Sequence, residues 1–139
     1  MRKDIIKNKI KEVYDSLELI EVNMPADFEK FQDLGIIKDG MYKRLEYAIE
    51  NLIDVFYIIG SDINIGTPYD DSDMLEKLDS AGIITEECCK IMKNLKGFRN
   101  ILVHRYSRID DFMSFTFIKE NIKDFNYVIE CIDNIMGKH

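Results

Sequence analysis

The chain has 139 residues, of which 46% are hydrophobic and 32% charged, and it contains only two prolines and seven glycines. This balance indicates one globular domain over residues 1–139, and the scarcity of turn formers disfavours a sheet protein with many tight turns. The formal net charge of −7 argues against a general nucleic-acid coat protein, because such a protein needs a basic surface.

The N-terminal part is predicted to contain one amphipathic helix and one short helical piece. Apolar residues at alternating spacings of four and three predict the helix over residues 6–20. Pro25 ends this pattern, because proline disfavours helical geometry at the residue before it. We expect a short helical piece at residues 27–34, followed by interruptions at Gly35 and Gly40.

A long helix is predicted from about Met41 to Ser61, and apolar side chains on most of its circumference place it at the centre of the fold. A polar line runs along it at steps of three, one and three residues, formed by Tyr47, Glu50, Asn51 and Asp54. Burying such groups costs free energy unless they are paired. Two interpretations stay open, namely hydrogen bonds within the bundle and side chains that line a functional site.

The second half of the chain is predicted to form three helices. Residues 66–72 are expected to be a loop, after which Ser72 or Asp73 caps a helix that ends near Ser80. Thr85 is expected to cap the next helix, which has two glutamates in its first turn. Apolar residues at steps of three and four predict the last helix over about 110–136. Four or five amphipathic helices joined by short loops favour an all-α antiparallel bundle.

Membrane and metal sites are not predicted. No apolar run approaches the roughly 18 residues that a membrane span needs, so we expect a cytoplasmic protein. The three cysteines, Cys88, Cys89 and Cys131, are an odd number and lack the spacing of metal ligands. We therefore expect reduced structural thiols, with no metal and no cofactor.

Charge is unevenly distributed along the chain. Between positions 90 and 108 there is no acidic residue, and this stretch, the basic strip, contains Lys90, Lys93, Lys96, Arg99, Arg105 and Arg108. The basic strip carries +6, so the rest of a chain that totals −7 carries −13. One interpretation is a solvated helix face. The other is a nucleic-acid-binding surface, formed by Lys93, Lys96, Arg105 and Arg108.

The basic strip also contains Arg99, then His104 five residues later, then Tyr106. An imidazole exchanges its proton near neutral pH, and a guanidinium stays charged beside a phosphate. Asn100 lies one helical turn before His104 and could orient its ring. On a continuous helix Arg99 and His104 point about 140° apart, so one copy does not easily place both on one phosphate. Either the helix ends inside the motif or two chains contribute.

The pattern Arg-x4-His-x-Tyr resembles the HEPN superfamily, and more closely the HepT-like ribonuclease toxins of the HepT/MntA type VII toxin–antitoxin system. Three further segments look like that family in the same order, at residues 44–54, 66–69 and 78–84. Arg105 is a departure, because many members carry an acidic residue between the histidine and the tyrosine.

The resemblance implies a two-fold homodimer whose paired motifs line one cleft, with Arg99 and His104 as the catalytic residues of an endoribonuclease. We expect cleavage of RNA without a metal ion. The resemblance also implies an MntA-like nucleotidyltransferase antitoxin that adds AMP to Tyr106. The alternative is a non-catalytic HEPN subunit that presents nucleotides or substrate to a separate nucleotidyltransferase.

Overall fold

The structure is a computed structural model that describes residues 1–104 and 108–139. Its regular elements in these ranges are all helical: α1 (Lys3–Asn23), α2 (Phe28–Gln32), α3 (Ile36–Asp62), α4 (Asp71–Ser80), α5 (Glu86–His104) and α6 (Asp111–Lys138). The predicted all-α fold is confirmed, with five longer helices and the short α2. None of the helices in the described ranges is long and apolar enough to cross a membrane.

Helices α1 and α3 pack antiparallel along most of their length. The side chain of Arg2 binds Asp62 at 2.9 Å at one end of the pair, and Lys9 binds Asp54 at 3.2 Å further along. The apolar face of α1 is the predicted one, and its five periodic residues are all buried: Ile6, Ile10, Val13, Leu17 and Ile20. This face anchors α3 at the centre of the core.

Helix α3 begins earlier than predicted. We expected both Gly35 and Gly40 to interrupt the chain, but only Gly35 does so, with a φ of +60° that favours glycine. Gly40 lies inside the helix. A glycine there costs about 1 kcal/mol relative to alanine. This cost is small compared with the free energy that the helix gains by burying its apolar surface.

Helix α4 is capped by Asp70, so the prediction of Ser72 or Asp73 as its cap was wrong. The Asp70 carboxylate accepts the backbone N–H of Asp73 at 2.8 Å, and Asp71 becomes the first helical residue. The predicted cap of α5 is confirmed, because the Thr85 hydroxyl accepts a backbone N–H at 3.0 Å. The cap position matters because it decides where Asp71 lies.

Helix α5 packs against α3, α4 and α6, and the order of the contacts along each pair shows that it runs antiparallel to all three. On its α4 side, Lys93 binds Glu76 at 2.6 Å. On its α6 side, the Phe98 ring stacks on Phe117 with centroids 3.9 Å apart. The thiols of Cys88, Cys89 and Cys131 are free, as predicted. The helix that carries the motif is therefore held by the body of the fold on three sides.

Candidate active site

Helix α5 continues unbroken through Arg99 and His104. Of the two explanations that the sequence left open, a helix that ends between these residues is therefore excluded. Five residues of helix separate the side chains by about 7.5 Å along the axis and by about 140° around it. Their surroundings differ accordingly, because the Arg99 side chain is only 14% exposed whereas His104 is exposed.

The Arg99 guanidinium is held by three side chains. It donates from Nη1 to Glu50 Oε1 at 2.8 Å, from Nη2 to Asp71 Oδ2 at 2.7 Å, and from Nε to Asn100 Oδ1 at 3.0 Å. Three of its five N–H donors are thus engaged. Burial acts to lower the pKa of Arg99, but the hydrogen bonds to Glu50 and Asp71 outweigh it and raise that pKa above its ordinary value. The site therefore keeps a fixed cation.

Asp71 is shared between Arg99 and a tyrosine of α3. The Tyr57 hydroxyl donates to Asp71 Oδ1 at 2.7 Å, while Oδ2 accepts from Arg99. Burial, and then the hydrogen bond to Asp71, raise the pKa of Tyr57 to about 12, so the phenol stays protonated and acts as the donor. Sequence reasoning missed both residues. The available signal for Asp71 was the group of acidic residues at positions 70, 71 and 73, but only the fold brings one of them to Arg99.

The polar line of α3 serves both of the purposes that the sequence left open. Glu50 binds Arg99 and so belongs to the site. The other contacts are structural: Asp54 pairs with Lys9 of α1, and the Asn51 side-chain amide donates to the Tyr47 carbonyl at 2.9 Å.

Asn100 and His104 are not joined as the sequence suggested. The side-chain oxygen of Asn100 accepts from Arg99 Nε instead, so Asn100 orients the cation rather than the imidazole. The His104 ring has no hydrogen-bond partner among residues 1–104 and 108–139. It lies at the last residue of α5 and is exposed.

The basic strip faces α4 over part of its length. Lys93 binds Glu76, and the Lys96 ammonium donates to the Ser72 hydroxyl at 2.7 Å. Together with Arg99 these side chains follow one another at steps of three residues and lie along the contact between α4 and α5. Their charge is partly matched by α4, so they do not form a uniformly solvated face.

The comparison with known families shows which protein family the chain belongs to. The family model described as Ribonuclease HepT-like matches residues 6–132. The chain belongs to this family. The mRNA nuclease HepT of Shewanella oneidensis is 26% identical over 129 residues, which cover 93% of this chain and 96% of that protein. A protein of Archaeoglobus fulgidus is 29% identical over 138 residues, covering 99% and 98% of the two chains.

Solved structures agree with the HepT-like assignment. The tri-AMPylated HEPN toxin of Shewanella oneidensis, solved in complex with its MNT antitoxin, superposes with a TM-score of 0.83 at 25% identity. The superposition covers 94% of this chain and 98% of that toxin. YutE of Bacillus subtilis has a TM-score of 0.82 at 17% identity over 99% of this chain and 92% of that one, and this likeness shows the fold alone.

The remaining predicted residues of this HepT-like chain lie at the end of the motif. Arg105 and Tyr106 fall outside the residues that the structure describes, so their roles stay predictions. Arg108 is exposed, as an RNA contact would have to be.

A cavity of about 360 Å³ opens between α3 and α5 beside the motif. It is lined by Tyr42, Lys43, Glu46, Leu102 and Val103. The Tyr42 hydroxyl also donates to Asp111 at 2.7 Å, so this cavity adjoins the start of α6. Val103, in the wall of this cavity, is an exposed apolar residue, and Phe112 and Met113 at the start of α6 are exposed as well.

Proposed function

We propose that this HepT-like protein is the toxin of a toxin–antitoxin pair, an endoribonuclease that cleaves RNA without a metal ion. The observation that carries the proposal is the contrast along α5 between a firmly held cation, Arg99, and an exposed imidazole, His104. The relatives support it, since the mRNA nuclease HepT matches along nearly its whole length.

The chemistry needs only proton transfer and charge stabilisation. The 2′-oxygen attacks the adjacent phosphorus, the new P–O2′ bond forms and the P–O5′ bond breaks, which leaves a 2′,3′-cyclic phosphate and a 5′-hydroxyl. The 2′-hydroxyl proton must be removed, the departing 5′-oxygen must be protonated, and a cation must stabilise the phosphorane. His104 serves the proton transfers and Arg99 serves as the cation.

A two-fold homodimer completes this site. Because α5 directs Arg99 and His104 to different sides, two copies that meet at their motifs place the arginine of one beside the histidine of the other. The two-fold axis creates two such Arg99–His104 pairs, and in each pair the imidazole that takes the 2′-hydroxyl proton returns a proton to the departing 5′-oxygen. The exposed apolar residue inside the motif suits this contact, since Val103 is 43% exposed. Burying apolar area of this kind drives association.

Around this cleft the basic residues contact the RNA backbone, and Asn100 supports Arg99. The proposed contacts are Lys93, Lys96, Arg105 and Arg108. Lys93 and Lys96 keep their α4 partners while they extend the positive potential that a phosphate meets.

The regulator is a nucleotidyltransferase of the MntA type, and the acceptor of AMP is the Tyr106 hydroxyl. The Shewanella toxin described as tri-AMPylated and bound to MNT antitoxin supports this proposal. The added phosphates compete for Arg99 and repel RNA.

The binding-module alternative is favoured by one observation, that the Arg99 guanidinium is already bound by two carboxylates.

Incubating the purified protein with RNA in the presence of EDTA distinguishes the two functions. We expect cleavage with 2′,3′-cyclic phosphate ends, abolished in Arg99→Ala and in His104→Ala. His139→Ala, at the exposed C-terminal histidine, is the matched control and should cleave normally. RNA that is bound but left intact by the wild type would support the binding module.

A further inference from the structure

We propose that Tyr57 and Asp71 form a positioning unit that holds Arg99 during cleavage, and that the RNA phosphate displaces Glu50 and not Asp71. This inference rests on the proposed function, in which Arg99 contacts the scissile phosphate. It assigns different roles to the two carboxylates that contact one guanidinium.

Asp71 is anchored on both of its oxygens. Oδ1 accepts from the Tyr57 hydroxyl and Oδ2 accepts from Arg99, each at 2.7 Å, and the side chain is 23% exposed. Its backbone is placed by the Asp70 cap at the start of α4. Moving this carboxylate would break two hydrogen bonds at once, so Asp71 is the stationary partner.

Glu50 is held less firmly. Its carboxylate has one hydrogen bond in the described part of the chain, to Arg99 Nη1 at 2.8 Å, and its side chain is 43% exposed. Glutamate also has one more rotatable bond than aspartate. When Glu50 leaves, solvent replaces its single contact and the Tyr57–Asp71–Arg99 chain stays intact.

One carboxylate must leave for the phosphate to bind. Two ionised carboxylates around one guanidinium give this group a charge of −1, which repels RNA. Departure of Glu50 brings that charge to zero and opens the Nη1 side of a guanidinium that still points in the same direction. A phosphate can then occupy the same donor with the charge-assisted geometry that arginine favours.

Steady-state cleavage by Asp71→Asn, Tyr57→Phe and Glu50→Gln tests the assignment. Asp73→Asn is the matched control, because Asp73 lies in the same helix, is 25% exposed and binds Lys77 at 2.8 Å without touching Arg99. Each kcat is divided by the folded fraction measured by circular dichroism. A purely structural role would then leave kcat unchanged.

We expect Asp71→Asn to lower kcat by about 10- to 100-fold, the cost of a small misplacement of a catalytic group. Tyr57→Phe should lower kcat in the same direction by a smaller factor, because it removes only the outer anchor. Glu50→Gln should lower KM and keep kcat, because RNA no longer competes with a negative charge. Asp73→Asn should behave as the wild type.

The inference is overturned if Asp71→Asn and Tyr57→Phe both keep the kcat of Asp73→Asn while Arg99→Ala is inactive, and that result leaves the proposed function standing. Glu50→Gln with a kcat as low as that of Asp71→Asn and an unchanged KM also overturns it. Wild-type protein that does not cleave RNA, or Arg99→Ala that cleaves normally, overturns the proposed function and this inference together.

Discussion

Arg99→Ala should destabilise the fold as well as abolish cleavage, whereas His104→Ala should abolish cleavage alone. Removing the guanidinium leaves Glu50 of α3 and Asp71 of α4 without the cation that they share, and it also removes a hydrogen bond to Asn100. The His104 ring breaks no hydrogen bond within the described residues when it is removed. The two alanine variants should therefore differ in their free energy of unfolding.

The magnitude follows from the exposure of each partner. Glu50 is 43% exposed, so its ion pair is screened by solvent and contributes no more than about 0.5 kcal/mol. Asp71 is 23% exposed and would keep only its Tyr57 hydrogen bond, so losing Arg99 there costs about 1.5 kcal/mol. Arg99→Ala should thus lose about 2 kcal/mol, while His104→Ala should stay within about 0.5 kcal/mol of the wild type.

Urea unfolding followed by far-ultraviolet circular dichroism measures this difference, with the same protein concentration for each variant because a dimer unfolds in a concentration-dependent way. Adding Asp71→Asn to Arg99→Ala should recover part of the lost stability, since one of the two unpaired charges is removed. If Arg99→Ala is as stable as His104→Ala, the carboxylates do not hold Arg99 and the reasoning about the site is refuted.

Three further predictions concern assembly and regulation. Mixing and refolding Arg99→Ala with His104→Ala should restore about a quarter of the wild-type activity, because half of the dimers are then mixed and each mixed dimer has one of its two sites complete. No recovery of activity would contradict the shared cleft. Val103→Asp should give a monomer in sedimentation that does not cleave RNA, whereas Val22→Asp, at a more exposed valine on α1, should stay dimeric. Co-expression with the cognate nucleotidyltransferase should add AMP mass that is lost in Tyr106→Phe and kept in Tyr69→Phe, a tyrosine that is 96% exposed; an unmodified, fully inhibited toxin would indicate steric masking instead.

Helix positions could be predicted where local chemistry alone determines them. The buried face of α1 and the Thr85 cap follow from periodicity and from one hydroxyl, and both are confirmed. The start of α3 was misjudged at Gly40, because packing of the apolar face outweighs the modest helix penalty of one glycine. At α4 several acidic and hydroxyl residues compete for the cap, and the sequence does not show that Asp70 is the one used.

The partners of Arg99 could not be predicted because they are distant in the chain. Glu50 and Asp71 lie 49 and 28 residues before it, on different helices, and periodicity indicates only which face of a helix is buried. Glu50 was visible as part of a polar line, but nothing in the sequence paired it with this arginine. Candidate functional residues can be found from their spacing in the sequence, whereas the partners that orient their side chains depend on how the helices pack.

In the proposed function, the same packing lets a chain of charge −7 act on RNA without binding it indiscriminately. Phosphate contacts made by unpaired basic residues give tight and nonspecific binding, because each one releases counterions. Here Lys93 and Arg99 are paired with carboxylates and Lys96 with a hydroxyl, so the basic strip attracts RNA less than its +6 charge suggests. In the proposed function RNA gains most at Arg99, where a phosphate can replace the loosely held Glu50 while Asp71 keeps the guanidinium in place. In the proposed regulation, AMP added to Tyr106 blocks the activity because its phosphates compete with RNA for this one arginine.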